Sequence, residues 1–413
     1  MAPGSKKKKK GVKGSPVDKL TDDILADIIS RVPYKSSRCC KCVSTRWRDL
    51  FSHPDHHKKM PQSIAGFFYE DYNEDRFPEK ARYFIDVTGK GYRLIDPSLS
   101  FLPKCERLDI MDCCNGLLLC RCWKDTYPET VDYVVCNPAT MKWVVVPATE
   151  WSSKVDVTRL GFDSAVSAHF HVFEFIREEV WGIDESELSN YGGRIEAVAT
   201  YSSKAGVWTH KMVKKYDDFA IAAHSKGVFL NGIMHLAAYD DMVVTFDVKG
   251  KLLRFIGTPS PPYSYEFPVN DVFLSQGQLH FTCSTNSESD DIISQESSES
   301  DSSNLLVWVL EDYSSEKWTL KHTVSHLQLF RNIHSGYPDY NVISFHPERN
   351  MIFIVCGRKN TLMSYEMDSS KRHIVRQLGQ DGHEYYCDTK KNPFIPYVPL
   401  FTESLVDGPR KPI

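Results

Sequence analysis

The chain has 413 residues, of which 41% are hydrophobic and 25% charged, with a net charge of −4. That length is too great for one small core and fits a short module joined to one large domain. The near-neutral balance argues against specific nucleic-acid binding, which needs a basic surface, and no apolar run approaches the ~18 residues of a membrane span or forms the core of a signal peptide.

Residues 1–16 carry Lys6 to Lys10 in a row, then Lys13, among Gly, Ser and Pro. This composition predicts a disordered basic tail, readable either as a nuclear-import signal or as a solubilising end. A compact helical module is expected next, over 17–58. Thr21 is placed to cap a helix, and Asp22 and Asp23 put negative charge in its first turn, where the helix dipole favours it. Leu20, Ile24, Leu25, Ile28, Ile29 and Val32 recur at the spacing of one helical face, and Pro33 stops the run. Ser44 is a second capping candidate, ahead of Trp47, Leu50 and Phe51 on one face. A segment of roughly 35 residues is poorly placed to bury its own apolar surface.

This stretch resembles the F-box. The matching features are the leading Leu20 with its acidic pair, Ile24-x-x-x-Ile28, Arg31-Val32-Pro33, Lys41-Cys42-Val43-Ser44, Trp47-Arg48-x-Leu50 and Ser52-His53-Pro54. It departs from the family pattern at Thr21, where Pro is usual, and at Ser37 and Cys39, where Leu and Arg are usual. The resemblance implies three short helices that bind the Skp adaptor of a cullin-based ubiquitin ligase. On that reading Leu20, Ile24, Ile28, Pro33, Val43, Trp47 and Leu50 supply apolar contact, with Trp47 and Ile28 as the strongest contributors.

From about residue 60 the texture changes to short β-prone runs separated by Gly, Asn, Asp and Pro. Examples are Tyr133–Cys136, Val144–Val146, His169–Ile176, Val198–Tyr201, Val243–Phe246, Leu305–Leu310 and Met351–Val355. Many short strands with frequent turn signals predict an all-β architecture too large for a single sandwich. Within it, a polar strand-ending residue is followed six positions later by a large apolar one: Asp86 and Tyr92, Asn137 and Trp143, Ser202 and Trp208, Asp247 and Leu253, Asp312 and Trp318, Asp368 and Ile374. Each pair reads as a hairpin, and the units recur every 45 to 65 residues, near the ~40 to 50 of a propeller blade. The Ser284–Asn304 tract holds nine serines and six acids without Lys or Arg, which predicts a mobile insert between two strands. Ser287 and Ser298 each have an acid three residues on, as acidophilic kinases prefer.

The expected fold class is therefore α+β: a small three-helix module, then a mostly-β domain over 59–400, an irregular β-propeller of six to eight blades. Residues 401–413 read as a C-terminal tail, and a pair of stacked sandwiches is the alternative architecture. This region resembles the plant F-box-associated domain, which is kelch-like. Cys114-Asn115-Gly116-Leu117-Leu118, Asn137-Pro138-x-Thr140-x-x-Trp143, Gly161-Phe162-Asp163 and Tyr201-Ser202-Ser203 ahead of Trp208 carry that likeness.

No P-loop, Gly-rich dinucleotide turn, His-Glu-x-x-His or Gly-x-Ser-x-Gly elbow occurs, so no catalysis and no cofactor are expected. His169-x-His171 would share one strand face but lack a third ligand, and Asp217-Asp218 and Asp240-Asp241 read as solvated turn acids. Cys39, Cys40 and Cys42 lie in a predicted helix and its exit, and Cys113-Cys114 and Cys120-x-Cys122 in strand-like sequence. These suit buried free thiols in a reducing compartment, nuclear or cytoplasmic, rather than a metal site. What the resemblance implies is a substrate receptor of an SCF-type ligase, reaching cullin and RING subunits through the adaptor and holding a target protein on the propeller. A scaffold outside any ligase, a lectin-like glycan receptor and a propeller hydrolase are the competing readings.

Overall fold

The computed structural model describes residues 16–30, 43–52, 63–72, 80–87, 95–127, 129–164, 166–178, 194–214, 216–217, 219–221, 225–239, 241–259, 271–285, 304–330, 340–357, 360–378, 394–400 and 405. The chain divides into two compact units, 1–61 and 62–413.

In the first unit, a 3-10 turn over Pro16–Lys19 precedes helix α1 (Asp22–Ser30), and α2 spans Thr45–Ser52. The Thr21 carbonyl accepts the Leu25 N–H at 3.0 Å, which places Thr21 at the cap position, and the Ser44 hydroxyl accepts the Trp47 N–H at 3.2 Å. The expected middle helix, with Pro33, Ser37 and Cys39, lies outside the described residues, as do the basic tail and Cys40 and Cys42. Arg46 ties the two helices: its Nε donates to the Asp22 carboxylate at 2.8 Å and its Nη2 to the Leu20 carbonyl at 2.6 Å.

The second unit is a propeller of six sheets, five of them four-stranded meanders running outward from an innermost strand. Blade 1 is β3 (Arg107–Cys114), β4 (Leu117–Lys124), β5 (Thr130–Asn137) and β6 (Lys142–Val146). Blade 2 is β7 (Val157–Gly161), β8 (His171–Arg177), β9 (Ile195–Ser202) and β10 (Val207–Met212). Blade 3 is β11 (Gly227–Leu230), β12 (Ile233–Ala238), β13 (Met242–Asp247) and β14 (Leu252–Gly257). Blade 4 is β15 (Val272–Ser275), β16 (Gln278–Thr285), β17 (Asn304–Asp312) and β18 (Lys317–Ser325), followed by helix α3 (His326–Phe330). Blade 5 is β19 (Tyr340–Phe345), β20 (Met351–Cys356), β21 (Thr361–Glu366) and β22 (Lys371–Gln377). The sixth sheet joins the two ends of the unit: β23 (Phe394–Tyr397) pairs antiparallel with β1 (Gly66–Tyr72), which pairs with β2 (Lys80–Asp86). The ring is thus closed by hydrogen bonds between its first and last strands.

Six hydrophobic clusters fill the six seams between neighbouring blades, such as Phe175, Phe246 and Leu236 between blades 2 and 3. Because each sheet is covered on both faces, its second and third strands are mostly apolar; β4 is buried from Leu117 to Cys122, Arg121 included. Leu405, in the stretch read from sequence as a tail, is buried with Leu400 between blades 1 and 2.

The sequence repeat is the hairpin between third and fourth strands. In blades 1 to 4 the polar residue ends the third strand, and the large residue is second in the fourth. The polar side chain builds the turn: the Asp247 carboxylate accepts the N–H groups of Lys249 and Lys251 at 2.8 and 2.9 Å, and Asn137 Oδ1 accepts that of Ala139 at 3.0 Å. In blade 5 the pairing of Asp368 with Ile374 is displaced by two residues. Glu366 ends β21, and Asp368 sits in the turn, where it accepts the Asn350 amide at 2.8 Å. Tyr92 lies outside the described residues. The serine-rich insert joins β16 to β17, whose ends pair at Thr285 and Asn304; Ser287 and Ser298 lie outside the described residues. Strand β8 begins at His171 rather than His169, because the Phe170 N–H bonds the Ser203 hydroxyl at 2.8 Å instead of a ladder carbonyl.

A left-handed residue sits late in every described hairpin of this class, last in the turn at Met141 (φ 57°), Gly206 (71°), Glu316 (56°) and Ser370 (52°), and next to last at Gly250 (74°). Only glycine holds that conformation without cost. Gly206 has open space where a Cβ would go, so Gly206→Ala isolates the backbone term and should lower stability by about 1 kcal/mol. Met141→Gly should raise it by a comparable amount; urea unfolding of the two variants measures both.

Candidate functional site

In the first unit Leu25 and Leu50 are buried against each other, with Leu20 and Trp47 partly buried on them. Ile24, Ile28 and Val43 are 50%, 44% and 62% exposed. The sequence-derived adaptor set therefore falls into two groups. Leu20, Trp47 and Leu50 hold the unit's own core, Ile24 and Ile28 make an outward i, i+4 pair on α1 with Val43 exposed before α2, and Pro33 lies outside the described residues. Val17, 37% exposed, is a further apolar residue of this unit that the periodicity did not single out.

In the propeller the innermost strands bring together charged groups that are far apart in sequence. Asp112 on β3 accepts the Leu160 N–H of β7 at 2.8 Å. Arg159 on β7 donates to the Ser225 carbonyl at 2.9 Å, Lys226 bonds the Ile343 carbonyl of β19, and the Lys226 N–H meets Asp271 at 3.0 Å. Burial pushes the Lys226 ammonium down to about 8 against the pull of Asp271 and Asp112, and the same burial raises the Asp112 carboxyl while Arg159 opposes it. Two acids and two bases thus compensate one another around the ring's axis, and the cluster serves to clamp inner strands of blades 1 to 5.

Other buried polar groups are also internally partnered. Glu174 of β8 accepts the hydroxyls of Tyr133 at 2.9 Å and Thr149 at 2.8 Å, and that of Ser152, across the seam between blades 1 and 2. His235 of β12 shares a hydrogen bond through Nδ1 with the Val228 carbonyl, 3.1 Å, and through Nε2 with the Tyr313 hydroxyl, 2.9 Å. A carbonyl only accepts, so Nδ1 carries the proton and Nε2 takes the Tyr313 hydrogen. Trp208 and Trp318, both marked by the sequence repeat, donate through Nε1 to the Pro147 and Gly257 carbonyls of the preceding blades, each at 2.7 Å.

His171 opens β8 and His169 precedes it, and the Nδ1 atoms of both rings are buried without a hydrogen-bond partner. Among the described residues no group of three or more His, Cys, Asp or Glu could hold a metal ion. Asp241 lies in a turn with φ 52°, whereas its neighbour Asp240, like Asp218 beside Asp217, lies outside the described residues. The described cysteines are free thiols; Cys120, Cys122, Cys136, Cys283 and Cys356 are buried. No described helix is long and apolar enough to cross a membrane.

Two measurements test this interior. Arg159→Met leaves Asp112 and Asp271 without that counter-charge and should cost about 3 kcal/mol of propeller stability in urea unfolding. His235 is held near 4 by burial, below its ordinary 6.5. Its contribution is complete above pH 6.5 and is lost as pH falls toward 4, because the unfolded chain takes up the proton first. Wild type should lose up to about 3 kcal/mol through this group over that window, and His235→Gln should show a shallower pH slope.

The family model of the F-box domain matches residues 17–59, and that of the F-box associated beta propeller domain matches 84–407. F-box protein At5g07610 of Arabidopsis thaliana is 26% identical over 317 residues, covering 73% of this chain and 70% of that protein. F-box protein At1g30790 of the same plant is 21% identical over 361 residues, covering 80% and 82%. An exposed apolar pair on a short N-terminal helical unit, a closed six-sheet ring and these matches lead to one assignment: the chain belongs to the plant F-box proteins whose second domain is an F-box associated beta propeller.

Proposed function

We propose that the chain is the substrate receptor of an SCF-type ubiquitin ligase, non-catalytic in itself. Its F-box would bind a Skp adaptor, and through it cullin and RING subunits, while the propeller holds a target protein near a ubiquitin-loaded enzyme. The contribution is proximity: holding acceptor and donor together raises their effective concentration without bond chemistry in this chain. The observation that carries the reading is the F-box match over 17–59 on a unit that leaves Ile24 and Ile28 facing outward. A core built on Leu25 and Leu50 is too small to account for three solvent-facing apolar side chains, whereas an adaptor groove would cover them. The lysine-rich start of the chain suits work in the nucleus or cytoplasm.

Within the adaptor set, Ile24, Ile28 and Val43 are proposed as direct contacts and Leu20, Trp47 and Leu50 as the support beneath them. Co-purification of the full chain with a Skp adaptor should yield a stable complex. Ile24→Glu with Ile28→Glu should weaken it at least 10-fold without altering propeller unfolding. Failure of the folded wild-type chain to retain the adaptor, or full retention by the double variant, would sink the proposal.

A further inference from the structure

The propeller has two unlike ends. At one end lie the turns from first to second and from third to fourth strand, and most of these are short, with 162–170 of blade 2 as the long exception. Asn115-Gly116, Asn231-Gly232 and Gln276-Gly277 are two-residue turns in which both φ angles are positive, and the third-to-fourth turns are the four-residue type described above. From the other end issue the second-to-third connections and those that carry the chain from an outer strand to the next inner one. These include 125–129, 147–156 and 213–226. Chain that is not needed to close a hairpin is concentrated there, as in folds that carry recognition on loops over a rigid frame.

Two side chains at this second end are unlike any others described in the propeller. Tyr127, between β4 and β5, and Tyr216, between β10 and β11, are 104% and 96% exposed, so their whole rings stand in solvent. Other propeller tyrosines, such as Tyr133, Tyr365 and Tyr397, are buried in the seams. A tyrosine ring that packs on nothing contributes no stability, but it offers a large, rigid contact area at little entropic cost to a partner. The charge around the two rings has a sign. Asp125 and Glu129 flank Tyr127 in sequence, and Glu150 and Glu178 are exposed at the same end, with Lys124, Lys154 and Lys214 as exposed bases; the acidic excess is at Tyr127, whereas Tyr216 stands between Lys214-Lys215 and Asp217-Asp218 in sequence. At the opposite end the third-to-fourth turns expose both signs, Lys204, Lys249 and Lys251 with Asp312 and Asp368.

We propose that the end of the propeller bearing Tyr127 and Tyr216 is the target-docking surface, and that it takes a lysine- or arginine-rich protein segment. Cationic side chains seat over the tyrosine faces while the flanking carboxylates pair with neighbouring charges. Both halves of this chemistry select the same partner, because the face of an aromatic ring and a carboxylate each attract a cation. This inference rests on the receptor reading for its biological meaning, but its physical content is independent of the adaptor.

The test uses the full chain and two labelled probes of equal length: a peptide rich in Lys and Arg, and its Asp and Glu counterpart. Fluorescence anisotropy should show binding of the cationic probe alone, weakened by added salt. Tyr127→Ala with Tyr216→Ala should weaken it about 10-fold, and so should Asp125→Lys with Glu129→Lys. The control is Asp312→Lys with Asp368→Lys, which changes charge equally at the opposite end and should leave binding within twofold. The mutated tyrosines are fully exposed, so thermal unfolding of that variant should match wild type. Equal loss in the control variant, preference for the acidic probe, or no binding of either probe would overturn the proposal. Adaptor co-purification run on the same preparations separates this outcome from failure of the receptor reading, since the tyrosine variant should retain the adaptor fully.

Discussion

Burial of every blade on both faces is the constraint on which the rest of this structure depends. A four-stranded sheet with apolar side chains above and below cannot stand in water, so each blade is stable only with neighbours on both sides. A row of such blades would still expose its first and last faces, and closing the row into a ring removes that cost. The chain closes it without a covalent link, by laying β23 against β1 in the sixth sheet. Phe68, Phe84 and Tyr397 then meet edge to face within that sheet, with Phe68 and Tyr397 5.6 Å apart.

Ring closure also fixes what the interior can be used for. The inner strands converge, and the charges they carry are forced close together in a setting where an unpaired charge is costly. Asp112, Arg159, Lys226 and Asp271 answer this by mutual compensation and by capping backbone carbonyls, and Glu174 by gathering three hydroxyls. Charges committed to holding strands together are poorly placed to hold a ligand, which leaves the loop-bearing ends of the propeller as its accessible surface.

The first unit follows the opposite rule. Its described interior is small, Ser44 caps its second helix, Arg46 ties that helix to the chain ahead of and at the start of the first, and Ile24, Ile28 and Val43 face outward. A unit of this kind gains by docking on a partner. On the proposed reading, a self-sufficient ring and a partner-dependent helical unit would divide the work between rigidity for recognition and adhesion to a complex.

The hairpin repeat was legible because its cause is local: a carboxylate or amide at the end of a strand bonds the next N–H groups wherever it occurs, so Asp247, Asp312 and Asn137 mark their turns without reference to the fold. Blade 5 was misread by two residues because Asp368 serves the Asn350 side chain instead, a contact between distant positions that no local pattern contains. The strands were legible for a similar reason, since two-sided burial leaves uninterrupted apolar runs. The proposed adaptor face was legible only in part. Periodicity placed Ile24, Leu25 and Ile28 on one stripe of α1, with Leu20 just ahead of it, but which edge turns inward depends on where Leu50 of α2 lands. Tyr127 and Tyr216 were invisible, because a loop tyrosine has the same sequence signature whether it is buried or bare. The sequence by itself determined the two-part organisation, the strand content and the turns, all set by contacts within a few residues. Tertiary structure alone decided the number of blades, the closure of the ring and which side chains face water, because each of those is fixed by contacts between segments far apart in the chain.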